Sequence, residues 1–201
     1  MTVQQAERAQ RDEPGMTMAA KDAVIAIHKG SAPAGLRVIG HLKLAEDLKL
    51  EGLPSGLTVD SLDVSNCIHL RFLPSDLKVR RLNISGCIGL EELPQGLSCY
   101  ELKAEGTVFE TLPDDLQVEY RLDLSNNTEL RALPRGLKVG TLNLTGCTAL
   151  ESLPEGLDVY FLDLSGCTGL RTWPQQAALR FGRLNARGCT NLTTLPGWLQ
   201  Q

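Results

Sequence analysis

The sequence predicts a solenoid: stacked repeats with a parallel β-sheet on the concave face, short extended or irregular convex segments, and an N-terminal capping helix. Three observations predict it. Nine of the ten prolines form a series, Pro33, Pro54, Pro74, Pro94, Pro113, Pro134, Pro154, Pro174 and Pro196, spaced 19–22 residues apart. Apolar pairs of period two recur at the same interval, as Leu62/Val64, Leu82/Ile84, Leu122/Leu124, Leu142/Leu144 and Leu162/Leu164. Five residues after the first member of each pair stands a polar or thiol residue: Asp47, Cys67, Cys87, Thr107, Asn127, Cys147, Cys167 and Cys189.

Composition fits one domain built this way. The chain has 201 residues, 42% of them hydrophobic but only 4% aromatic, so the core must be aliphatic and chiefly leucine. A net charge of −4 argues against a nucleic-acid partner, whose binding surface should be basic. No apolar run reaches the ~18 residues of a membrane span. The start, MTVQQAERAQRDEPG, lacks the apolar stretch of a secretory signal, so a cytoplasmic protein is expected.

Residues 1–32 should form a tail plus a cap. Residues 1–16 are polar and expected to be disordered. From Thr17 to His28, Ala20, Ala23, Val24 and Ile27 follow a helical spacing, and Gly30 stands where a helix stops. A first repeat has an open apolar end, and this helix would cover it. Residues 33–201 then hold about eight repeats. In each, the period-two pair marks a short strand with one face in the core. The next inward residue is Leu70, Leu90, Leu130, Leu150 or Leu170, and Leu-Pro with Gly-Leu-x-Val leads back along the outside. With a proline in so short a return path, extended backbone fits better than helix.

Several repeats depart from the template. Phe109 follows Thr107 by two residues rather than three, and one extra residue falls between Val118 and Leu122. Two extra residues after Pro174, in the run Gln175-Gln176-Ala177, are expected to loosen the outer loop. Trp173 replaces leucine, and Ala104 and Ala186 replace larger strand residues, which predicts thinner packing there. At the end, Trp198 and Leu199 either fold over the last repeat or mark a truncation.

The six cysteines read as buried free thiols. Five occupy the ladder position and Cys99 replaces a core valine. No pair has the C-x-x-C spacing of a zinc site, so no metal or cofactor is expected. No hydrolase, metalloprotease or phosphate-loop motif occurs, and His28, His41 and His69 belong to none, so no catalytic residue is assigned and no enzyme is expected.

Binding is the better expectation. Residues between the leucines should point out of the concave sheet and stack in columns. One column reads Lys43, Asp63, Asn83, Lys103, Asp123, Asn143, Asp163, Asn185, with no like charges adjacent. A second reads His41, Ser61, Arg81, Glu101, Arg121, Thr141, Phe161, Arg183, and beside it stand Tyr100, Tyr120 and Tyr160. Aromatic and arginine side chains on a rigid face are the usual anchors of protein interfaces. The candidate partner-binding residues are therefore Arg81, Glu101, Arg121, Phe161, Arg183, Asp123 and Asp163. Cys67, Cys87, Asn127, Cys147, Cys167 and Cys189 form the candidate structural ladder.

Val59, Leu62, Val64, Cys67 and Leu70 fit L-x-x-L-x-L-x-x-(N/C)-x-x-L in order, and the chain resembles the leucine-rich-repeat family over residues 33–201. Its short period and recurrent Leu-Pro are similar to bacterial repeats of secreted effector proteins. The Cys-x-x-Leu ending is similar to cysteine-containing repeats of plant receptors. The resemblance implies a leucine-rich-repeat solenoid and a non-catalytic module that binds another protein on its concave face. It also implies two alternatives: export into a host cell by a non-classical signal, and service as the substrate-recognition part of a bacterial effector ubiquitin ligase. In such ligases the catalytic cysteine lies in a separate domain after the repeats, and these 201 residues contain none.

Overall fold

The computed structural model of the protein describes residues 15–193 and 196. Among these, nine strands form one parallel sheet in strict sequence order. They are β1 (Thr17–Ala19), β2 (Arg37–Lys43), β3 (Thr58–Asp63), β4 (Lys78–Asn83), β5 (Ser98–Lys103), β6 (Gln117–Asp123), β7 (Lys138–Asn143), β8 (Leu157–Asp163) and β9 (Ala177–Asn185). One helix, α1 (Ala20–His28), follows β1. Strands β2 to β9 are the eight expected repeat strands, one per turn of the solenoid. The return segments are turns and extended backbone, with a single bridge between Ser152 and Thr172.

The register is the one the columns require. Leu62 pairs with Leu82 and Leu142 with Leu162, so identical positions stack on identical positions. The strand leucines from Leu42 to Leu162, with Cys67, Cys87, Cys147 and Cys167, are buried in one continuous core, and Leu184 of the last rung packs against it partly buried. After each strand the chain turns inward through a residue of positive φ. This is glycine in five repeats, asparagine at Asn66 and Asn126, and Glu46 in the first. The ladder residue follows immediately and so points into the core.

Two expectations are corrected. Thr17–Ala19 is not the first turn of the helix but a ninth strand, pairing with Arg37–Ile39 of β2. β1 is thus the edge strand of the sheet, three residues long, and α1 follows it over the β2 end of the core, where Ala23 is fully buried. Met16, placed in the expected tail, accepts a hydrogen bond at its carbonyl from Arg37 N–H. The two extra residues near Pro174 are not in the outer loop. Val159 pairs with Leu179 and Phe161 with Arg183, so the insertion is a bulge inside β9 at Arg180-Phe181-Gly182. Ala104 is fully buried, and Phe109 of the same repeat heads the fully buried side chains by volume. The expected positions of Trp198, Leu199 and most of the tail lie outside the described residues.

Candidate functional site

The ladder is a hydrogen-bonded column. Cys67, Cys87, Cys147, Cys167 and Cys189 each donate through Sγ to a carbonyl of the preceding rung (Leu44, Val64, Leu124, Leu144 and Leu164) at 3.0–3.1 Å. Asn127 does the same through Nδ2 to Ala104 at 2.9 Å, and its Oδ1 accepts from the Thr107 backbone and hydroxyl. All six cysteines are free and buried. Burial raises their thiol pKa values, to about 12 at Cys87, Cys99 and Cys167 and about 11 at Cys147. These thiols are poor nucleophiles. Among the described residues, no cluster of three or more His, Cys, Asp or Glu could hold a metal ion, and no helix is long and apolar enough to cross a membrane.

The column between the leucines is committed to the fold. Asp63, Asp123 and Asp163 each accept from the N–H and hydroxyl of the serine two residues on, at 2.6–3.2 Å. Asn83, Asn143 and Asn185 on the following rungs donate to these carboxylates at 2.9–3.1 Å. Burial works to raise the Asp123 and Asp163 pKa values, but these bonds, joined at Asp123 by one from Arg121, outweigh it and hold both below the usual range. The two candidates Asp123 and Asp163 thus fasten the turn that follows each strand.

The remaining candidates divide into two hollows of the sheet face. The N-terminal hollow, about 190 Å³, is lined by His41, Ser61, Arg81, Glu101 and Lys103 among others. Arg81 pairs with Asp60 at 2.5 Å and Glu101 with Lys103 at 3.7 Å. His41 Nδ1 lies 2.9 Å from Ser61 Oγ. A serine nucleophile would also need an acid orienting the second histidine nitrogen. No described residue does this, and the nearby Asp63 is held by Ser65 and Asn83.

The C-terminal hollow is larger, about 590 Å³, and gathers Arg121, Thr141, Phe161, Asp163 and Arg183 over Leu142, Leu162 and Leu184. The β9 bulge shapes this end, with Gly182 in the wall at φ 61°. Arg183 lays its guanidinium 5.3 Å from the centre of the Phe161 ring. Arg121 donates to Asp123 at 2.9 Å, while its Nε is buried without a hydrogen-bond partner.

Sequence reasoning missed how the tyrosine column is built. Tyr100 and Tyr120 stack with centroids 5.1 Å apart, and Arg80 lies 5.0 Å from the Tyr100 ring. Arg180 lies 5.4 Å from the Tyr160 ring and grips Asp158 with two hydrogen bonds. The Arg80 contact was legible from the twenty-residue register; the Arg180 contact depends on the bulge. A further column follows the ladder position. It is apolar at Leu48, Ile68, Ile88 and Val108, then threonine at Thr128, Thr148, Thr168 and Thr190, and Leu48 and Ile88 are exposed.

No protein-family model, curated protein or solved structure matches this chain.

Proposed function

We propose that this chain is a leucine-rich-repeat interaction module, without catalysis of its own, that meets another protein on the concave sheet face. The observation that carries the reading is the 590 Å³ hollow lined by Phe161, where the column runs Arg121, Thr141, Phe161, Arg183 on successive strands. Phe161 lies outside the buried leucine core, half-buried with the Arg183 guanidinium over its ring. With Arg183 over the ring and Arg121 in the same hollow, it has the composition of an interface anchor. The repeat supplies a rigid backbone, so such an anchor is pre-organised and loses little freedom on binding.

Adjacent residues test the reading. Leu162 is buried and Phe161 half-buried. Leu162→Ala should cost ~2–5 kcal/mol of stability. Phe161→Ala should cost about 1 kcal/mol, while weakening a partner about thirtyfold if the ring is a hot spot. Wild-type, Phe161→Ala, Arg121→Glu and convex-side Arg71→Glu proteins serve as parallel baits, with captured proteins quantified and affinities then measured. A partner held by wild type and Arg71→Glu but lost by the other two supports the reading. Full retention by Phe161→Ala and Arg121→Glu at native stability defeats it.

A further inference from the structure

Charge is segregated along the solenoid. Asp163 is the last acidic residue of the sequence, and from Leu164 to Gln201 the charged residues are Arg171, Arg180, Arg183 and Arg187. The net charge of −4 therefore comes from the chain before this stretch. Arg180 and Arg183 lie in β9, and Arg187 just after it. Arg180 is bound to Asp158 through two hydrogen bonds. Arg183 and Arg187 are exposed, and neither pairs with a carboxylate among the described residues.

Arg183 lines the C-terminal hollow. Of the two cations in that lining, Arg121 is already paired with Asp123. The single acid of the lining, Asp163, is held by Ser165 and Asn185. Arg183 has its guanidinium over the Phe161 ring, 5.3 Å from the centre, and among the described residues no acceptor for its side-chain N–H groups. A cation–π contact positions a guanidinium without consuming its N–H donors, which match a carboxylate two at a time. The ring thus holds a fork of unused donors in the lining of a 590 Å³ hollow, a space large enough for a side chain of another protein.

We propose that this hollow receives an acidic side chain of the partner protein, its carboxylate held by the Arg183 guanidinium. The proposal rests on the concave-face reading and gives its partner a chemistry. Arg187, on the same rung and without an acid of its own, adds positive potential at that end. Leu184, partly buried in the same lining, offers apolar contact to the methylene stem of a glutamate. One group is left to be neutralised in the hollow, so a single carboxylate matches it better than a polyanion does. A nucleic-acid backbone fits poorly, since Asp63, Glu101, Asp123 and Asp163 stand along the same face, where its phosphates would run.

The test uses the full-length protein and needs no partner. Arginine Nε–H signals are followed by NMR during titration with acetyl-Leu-Glu-Leu-amide, with its central Gln and Lys counterparts, and with hexathymidylate. The glutamate peptide should shift the Arg183 signal saturably and bind at least about tenfold more tightly than the glutamine peptide. Added salt should weaken it. Arg183→Gln, checked for native melting, should abolish the difference between the two peptides. Arg183→Lys, which keeps the charge but not the fork, should keep part of it, and convex-side Arg71→Gln should keep it all. No saturable shift at Arg183, equal affinity for the glutamate and glutamine peptides, an unchanged difference in folded Arg183→Gln, or tighter binding of hexathymidylate than of the glutamate peptide overturns the proposal. With baits, a partner lost by Phe161→Ala but kept by Arg183→Gln removes this inference alone. Glutamate discrimination through Arg183, with every captured partner indifferent to Phe161→Ala and Arg121→Glu, removes the concave-face reading and leaves the carboxylate site standing.

Discussion

Cys147 sits where a side chain must be short, point inward and donate to a carbonyl of the rung before. Its Sγ reaches the Leu124 carbonyl at 3.1 Å, as Asn127 reaches Ala104. The demand is for a donor in a narrow apolar site, which explains how the amide of Asn127 takes a place otherwise held by thiols in the same column. Cys147→Ser keeps a donor and should cost about 1 kcal/mol. Cys147→Val matches the site in size but leaves the carbonyl with only its long bond from the Asn127 N–H, 3.4 Å, and should cost about 1–3 kcal/mol. Urea denaturation of both variants decides it: equal or reversed costs would mean that packing, not the hydrogen bond, sets the ladder. The same residue scale explains why Asp123 and Asp163 make poor contact candidates despite their column. Each carboxylate is already used by a serine two residues ahead and an asparagine one rung on.

The elements that depart from the repeat are the ones that shape the surface. Helix α1 ends with Gly30 N–H donating to Ile27 and Lys29 N–H to Ile25, and His28 Nε2 meets Asp47 at 2.5 Å. Asp47 is the first rung of the ladder. Having no earlier rung to bond, it faces the cap instead. Because each repeat touches only its neighbours, damage to the cap should spread from that end. Ala23→Glu forces a carboxylate into a fully buried site and should cost ~3 kcal/mol or more. Hydrogen exchange should quicken first at β2 and β3, with β7 and β8 protected. Uniform quickening along the sheet would contradict nearest-neighbour stability. At the other end the β9 bulge contributes Gly182 to the wall of the hollow beside Phe161. Bulges re-aim side chains, and this one sets Arg180 on Tyr160 and Arg183 on Phe161.

The whole molecule carries its thiols in one place, and this makes its stability fall at alkaline pH. Folded Cys87, Cys99, Cys147 and Cys167 stay protonated to about pH 11–12, while in the unfolded chain they ionise near 9.0. Between these values the unfolded state binds fewer protons, so stability is full below pH 9 and declines above it. Each thiol contributes up to about 1.4 kcal/mol per pH unit, so the four should remove about 5 kcal/mol by pH 10. Cys99→Val restores the residue of the equivalent repeat positions, such as Val79 and Val139, and should lessen that loss by roughly a quarter. Denaturation at pH 8, 9 and 10 checks both statements, and a flat profile to pH 10 would show the thiols are not buried together.

By itself the sequence determined the stacking, the register and the core. A recurrence of twenty residues with period-two leucines lets only one face of each strand be buried, and a one-residue slip would expose it. The buried ladder was legible for the same reason, since the thiol position keeps its offset from the leucines. Where the extra residues go was decided only by the tertiary structure. An insertion near Pro174 lengthens the loop or bulges the strand with equal ease in sequence, and pairing with β8 settled it inside β9. The contacts that give the concave face its character followed from that placement. Arg183 on Phe161 and Arg180 on Tyr160 join residues 20 or more apart along the chain, across a bulge that no local pattern announces.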